Sequence, residues 1–369
     1  MQAPEGRSYD AVVVGAGLIG LACGWRAAEQ GLSVLVAERA PKPGAGASGV
    51  AAGMLAPVTE ADFGEERLLR LNLDARERWP AFAARLEERT GLSIGYRETG
   101  ALFVAADRDD VAELRRLHDF QRALGLDAEW LAPRDCRALE PGLSPRVSGG
   151  VLCPNEAQAD PPAVLAALSA AVRQASGELA CGVEVQGVEL DGGRVAGVRT
   201  ATGVVRAPRV VIAAGAWSAG LAPGGRGPAV RPVKGQIIQL RVRGGGPEPL
   251  TRIVRSPRCY LLARGDGRVV LGATVEEQGF DTAVTVDGVH RLLEAAREVL
   301  PEVAELELVA ARAGLRPGSR DNVPVVSADP RTPGLTWATG HYRNGVLLAP
   351  HTAELVATLL TGERVEARA

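Results

Sequence analysis

Two hydrophobic rhythms divide the chain. Tyr9-Asp10-Ala11-Val12-Val13-Val14 is a β-branched apolar run without alternation, which predicts a strand buried on both faces of a parallel sheet. It leads directly into Gly15-Ala16-Gly17-Leu18-Ile19-Gly20. A helix is predicted over 18–30, Gly31 stops it, and a second strand over 33–37 ends at Glu38. Val210-Val211-Ile212-Ala213-Ala214-Gly215-Ala216-Trp217 is another buried strand ending in glycine, suited to a return to the same sheet. The stretch between is an insertion with its own organisation. Amphipathic spacing predicts helices over 66–90 and from Asp107, a good N-cap, to 124, with Leu114, Leu117 and Leu124 on one side. Pro161 opens a helix to about 175, and 183–200 alternates around a hairpin turn at Asp191-Gly192-Gly193. Strands fill 233–274, with a hairpin at Gly265-Asp266-Gly267, and a helix follows over 286–300. That stretch suits an antiparallel sheet better than βαβ units.

Length adds a second core. With 369 residues, 46% hydrophobic and 23% charged, the chain exceeds the usual single-core limit. The fold class expected is α/β (α+β overall), a Rossmann-like nucleotide domain interleaved with a substrate domain built on an antiparallel sheet. The first domain takes 1–80, 150–230 and 311–369, and the second 81–149 and 231–310. The net charge of −2 with dispersed Lys and Arg gives no footprint for nucleic acid or an anionic membrane. No apolar run reaches the roughly 18 residues needed to span a bilayer. Residues 1–9 are polar and lead into a strand without a leader pattern, so a cytoplasmic protein is expected. Cys23, Cys136, Cys153, Cys181 and Cys259 form no metal-ligand pair, and His118, His290, His341 and His351 are dispersed. A metal site is not expected, and the thiols are read as reduced.

The glycine-rich turn carries the sharpest chemistry. Gly15 permits a tight turn, Gly17 lets the backbone approach a pyrophosphate, and Gly20 lets helix and strand pack closely. The pyrophosphate then rests on the helix N-terminus, where free N–H groups and the dipole favour negative charge. Glu38 stands where a carboxylate accepts hydrogen bonds from ribose hydroxyls. This unit does not separate NAD from FAD. After it, 39–49 is too rich in Gly and Pro for a regular element, and Val50-Ala51-Ala52-Gly53-Met54-Leu55 offers small residues to a flat ring system.

The C-terminal third decides. Gly314-Leu315-Arg316-Pro317-Gly318-Ser319-Arg320-Asp321-Asn322-Val323-Pro324 and Gly340-His341-Tyr342-Arg343-Asn344-Gly345-Val346-Leu347-Leu348-Ala349-Pro350 closely resemble the closing motifs of the glycine oxidases of thiamine biosynthesis, in the D-amino-acid oxidase and sarcosine oxidase superfamily. Arg258-Cys259-Tyr260-Leu261-Leu262-Ala263-Arg264 with Gly272-Ala273-Thr274 is a third match, and the resemblance runs from about Asp10 to Gly362. It implies FAD held without a covalent bond, since no Cys follows Cys259, the region where covalent sarcosine oxidases carry theirs. The cofactor contacts it implies are Gly15, Gly17, Leu18, Ile19, Gly20, Glu38, Arg39, Ala47, Ser48, Ala52, Gly53, Met54, Val185, Ala214, Gly215, Trp217, Arg316, His341, Arg343, Asn344, Gly345, Val346 and Leu347.

The resemblance also implies the chemistry. Arg316 would clamp the substrate carboxylate, for which a planar guanidinium suits better than Lys. Tyr260 would hold its other side, although a Tyr there can simply pack between sheet and helix. Arg343 would stiffen the pocket at the ring edge, and a helix opening at Gly345 would aim its N-terminus at the ring. The reaction implied is oxidative deamination of glycine with O2, giving glyoxylate, ammonia and hydrogen peroxide. It could also supply an imine for thiazole formation. Oxidases of N-substituted glycines or small D-amino acids share these motifs, and a dehydrogenase with another acceptor or a non-enzymatic flavin module stays open. His341 and His351 read as structural, Asn155 and Asp160 as turn and cap residues, and Lys234 as a surface or sheet-end Lys. Val275 stands where some glycine oxidases carry Met beside the pocket, which implies room for larger substrates. The resembling enzymes are homotetramers, so a homo-oligomer is expected.

Overall fold

The computed structural model describes residues 7–362, so positions 1–6 and 363–369 of the predicted ranges lie outside the described residues. The unalternated apolar runs sit together in a six-stranded sheet, ordered Val325–Ala328, Leu335–Thr339, Val210–Ile212, Ala11–Val14, Val34–Glu38 and Glu178–Cys181. All neighbours are parallel except the edge strand Val325–Ala328. Ala11–Val14 shows why such a run lacks alternation: each face meets a different apolar layer. Val13 packs with Leu21, Trp25, Trp79, Leu168 and Val356 from four helices. Those helices are Leu18–Glu29, Glu66–Thr90, Pro161–Gln174 and Ala349–Thr361. Val12 and Val14 pack on the other side with Val198 and Val205 of a three-stranded antiparallel sheet, residues 185–206.

The second sheet has eight strands, ordered Glu307–Gly318, Arg231–Arg241, Arg268–Gly272, Tyr260–Ala263, Ile253–Arg255, Ala101–Ala105, Gly149–Cys153 and Glu129–Leu131. It is antiparallel as expected, apart from one parallel pair, Ile253–Arg255 with Ala101–Ala105. Alternation gives it two faces. Leu102, Ile238, Leu261 and Leu271 pack under the helix Val286–Val299. Ala101, Ile237, Leu262 and Val270 face the opposite way, toward Ala52 of the nucleotide side.

The predicted domain ranges differ from the sheets at three points. Position 80 falls inside Glu66–Thr90, a helix whose Ala75, Trp79, Ala83 and Leu86 all pack into the core beside the first sheet. Positions 150 and 311 fall inside Gly149–Cys153 and Glu307–Gly318, strands of the eight-stranded sheet. Two further expectations change. Leu124 is the exposed C-cap of Arg108–Ala123, because the helix ends before it can turn inward. The last helix opens at Ala349, not Gly345, since Tyr342–Asn344 forms a separate 3-10 turn. Asp107 does cap its helix, accepting from the N–H groups of Asp109 and Asp110.

Candidate active site

A cavity of about 600 Å³ runs between the two sheets, from the glycine turn to the inner face of the eight-stranded sheet. At its first end Gly15 has φ +106°, a left-handed value that an L side chain rarely adopts, and a Cβ there would stand 2.6 Å from the Ala213 carbonyl oxygen. A Cβ on Gly20 would lie 1.9 Å from the Gly15 oxygen, so the helix can meet the strand only without a side chain. Gly17 is the N-cap, and the Leu18 N–H donates to Ser48 Oγ at 3.0 Å. The Glu38 carboxylate accepts from Ala16 N–H at 2.8 Å and Ala40 N–H at 2.9 Å, one per oxygen, which fixes it at the cavity wall. Arg39 lies over the Trp217 ring at 4.0 Å. A helix N-terminus followed by an anchored carboxylate fits a pyrophosphate and ribose.

The far end is built on strands. Arg316 projects from Glu307–Gly318, and its Nη1 donates to the carbonyls of Thr274 at 3.0 Å and Lys234 at 3.4 Å. The guanidinium lies against Gly235, where a Cβ would stand 2.4 Å from its nitrogens. One edge of Arg316 is thereby fixed. Tyr260 lines the cavity beside it, and burial pushes its hydroxyl up to about 12, so it stays protonated and able to donate. Arg343 lies over the Tyr342 ring at 5.4 Å, with its Nε buried and without a hydrogen-bond partner. The Glu60 carboxylate, then the opposing effect of burial, leave its guanidinium above the usual range. Tyr342 has φ +47°, a left-handed value held at the cavity wall by a non-glycine residue.

Of the expected contacts, Gly20, Asn344 and Leu347 do not line the cavity; the others do. Gly20 is consumed by helix packing, Asn344 is buried in its turn, and the Leu347 carbonyl accepts from Trp79 Nε1 at 2.9 Å. His341 reaches the cavity, but its Nε2 pairs with Thr352 Oγ1 at 2.9 Å and burial drops its pKa to about 3. It is neutral and occupied. Two readings are corrected. Val275 is 60% exposed and does not line the cavity. Lys234 is not on the surface: strand alternation turns it away from the cavity and buries it against Asp281 at 2.8 Å and Glu276 at 3.5 Å. Its neighbours in that alternation, Gly235 and Ile237, face the cavity.

Sequence reading missed Glu60, Tyr342 and Gly235 among the lining, and it gave Arg264 no role. Buried Arg264 donates to Gln158 Oε1 at 3.0 Å, to the Ala159 carbonyl at 2.8 Å and to the Ala52 carbonyl. It thus ties the small-residue segment 51–54 to the eight-stranded sheet. The glycine of the Lys234-Gly235 pair was the one legible signal, since a strand glycine marks a close approach.

The family described as DAO, FAD dependent oxidoreductase, matches residues 10–359. The chain belongs to this family. As an FAD-dependent oxidoreductase it uses FAD as its cofactor, and the cavity has the helix terminus, the carboxylate and the long apolar wall that such a molecule needs. This oxidoreductase is 36% identical over 357 residues to the glycine oxidase of Geobacillus kaustophilus, spanning 95% of this chain and 93% of that protein. A crystal structure of glycine oxidase from that organism superimposes with a TM-score of 0.91, covering 97% of this chain and 96% of the other at 35% identity. The bifunctional protein ThiO/ThiG of Trichormus variabilis is 35% identical over 96% of this chain, which spans 53% of that longer protein. Among the described residues no helix is long and apolar enough to cross a membrane, and no cluster of His, Cys, Asp or Glu could hold a metal ion.

Proposed function

We propose that this FAD-dependent oxidoreductase oxidises glycine with O2 and water to glyoxylate, ammonia and hydrogen peroxide. The observation that carries the reading is Arg316: two carbonyls hold one edge of its guanidinium, and its place in the cavity wall beside Tyr260 leaves the other for a carboxylate. The similarity to a glycine oxidase along nearly the whole chain supports it. Bound FAD supplies the two-electron acceptor that O2 later reoxidises. The protein's part is to hold the substrate. Arg316 takes the carboxylate, and the protonated Tyr260 hydroxyl donates to its second oxygen. With the carboxylate fixed at two points, the α-carbon has one approach to the ring. No side chain need act as base, and neutral His341, turned to Thr352, is not placed to be one. In a thiamine pathway the imine precursor of glyoxylate would feed thiazole formation, a link that the similarity to ThiO/ThiG proteins supports. A cytoplasmic homo-oligomer, a tetramer as in the resembling enzymes, belongs to the same reading, and light scattering of the purified protein measures its mass.

The test is an anaerobic glycine titration of the purified yellow protein. Glycine should bleach the oxidised flavin band, and air should restore it with formation of peroxide. In Arg316→Ala the loss of a buried carboxylate partner should cost about 3–5 kcal/mol in binding, by analogy with a broken buried ion pair. Bleaching by N-alkylglycines or D-amino acids but not by glycine would transfer the assignment to those substrates. Undiminished turnover in Arg316→Ala would reject the clamp.

A further inference from the structure

The substrate end of the cavity contains more positive charge than a monocarboxylic amino acid can use. Arg316 and Arg343 both line it, and Arg255 stands just behind. Arg316 donates to two carbonyl oxygens, and Arg255 is held by the Thr59 carbonyl and the Glu60 carboxylate. Arg343 has no carboxylate within ion-pair distance among the described residues, and its Nε is buried and unpartnered. The acid at this end of the lining is Glu60. Its Oε1 lies 3.6 Å from Arg255 Nη1, and Arg255 also donates to the carbonyl of Thr59, which fixes the residue before it. Glu60 is only 16% exposed, so its charge is weakly screened. Asp62 and Glu65, the next acids along the chain, do not line the cavity.

We propose that Glu60 determines the substrate class of this site: by placing a carboxylate in the cavity wall that also holds Arg343, it repels any second acid group that would reach that guanidinium and confines the pocket to small monocarboxylic amines. The inference rests on the reading of Arg316 as the carboxylate clamp. An amine with two carboxylates could otherwise bridge the two guanidiniums, one acid group on Arg316 and the other on Arg343. With Glu60 ionised, the second group meets a like charge in a poorly hydrated place, and specificity comes from that repulsion. Removing the charge without changing the shape takes away the repulsion and leaves Arg343, which has no ion-pair partner among the described residues, open to the substrate's second carboxylate.

The experiment uses holoenzyme and two non-reacting probes, acetate and malonate, followed by perturbation of the flavin absorption band. Glu60→Gln should tighten malonate relative to acetate by tenfold or more, and Glu60→Asp should keep the wild-type ratio. In Glu60→Gln with Arg343→Met the gain should vanish. The kcat/KM ratio of iminodiacetate to glycine should rise in parallel, through KM. If Glu60→Gln does not retain flavin, Glu60→Ser reads the same ratio. An unchanged malonate-to-acetate ratio in the neutral variants overturns the proposal, even if glycine is a substrate. Failure of glycine to bleach the wild-type protein would reject the reaction while leaving the probe ratio to decide the role of Glu60.

Discussion

Gly235 shows how a missing side chain can place a present one. Its Cα lies under the Arg316 guanidinium, and the first atom of any side chain would come to 2.4 Å from the nitrogens. Gly235→Ala should therefore push Arg316 off its two carbonyls while leaving the glycine turn untouched. The expected result is a KM for glycine raised at least tenfold with flavin content unchanged, read by oxygen uptake and the visible spectrum. An unchanged KM would show that Arg316 does not clamp the substrate. Arg316 was legible in the sequence because Gly and Pro flank it in a recognisable motif. Gly235 was legible only as a strand glycine that marks a close approach, without saying to what, and Glu60 was not legible at all, because its importance comes from what stands opposite and no spacing along the chain encodes that.

At the scale of elements, the segment 56–60 is held from below by a buried acid. Glu156 accepts from the N–H groups of Val58 at 2.8 Å and Thr59 at 3.2 Å, and its other oxygen has no partner. Burial pushes this carboxyl up to about 8, against the pull of those two donors. The folded state thus binds a proton that the unfolded chain releases near pH 4.5. Stability from this group is full below about 4.5, falls as pH rises to about 8, and is level beyond. Glu156→Gln keeps the acceptor and removes the ionisation. The gap between the two proteins should widen with pH in favour of the variant, reaching on the order of 5 kcal/mol above pH 8 by the usual 1.4 kcal/mol per unit. Urea midpoints at pH 5, 6, 7 and 8 measure it, and parallel curves would refute it. Most regular elements were legible: the 66–90 helix and the hairpins at Asp191-Gly192-Gly193 and Gly265-Asp266-Gly267 follow from periodicity and turn chemistry. The opening of the last helix was not, because Gly345 has helical φ and ψ without belonging to that helix.

For the whole molecule, periodicity separated parallel from antiparallel sheet but could not place the seams between them. Glu307–Gly318 follows a helix and precedes the nucleotide strands, so nothing local assigns it to either side. Its register with Arg231–Arg241, Val233 opposite Arg316, is a long-range fact. The order of the six-stranded sheet has a further consequence, for synthesis. Ala11–Val14 leaves the ribosome more than 300 residues before Leu335–Thr339, which stands two places away in that sheet. Between them the ribosome must deliver the entire second sheet. A nascent chain has the glycine turn long before the wall that encloses the ring. A chain stopped before Leu335 should emerge colourless, and synthesis of Leu335–Thr339, not growth of the glycine-turn unit, should time the appearance of bound flavin.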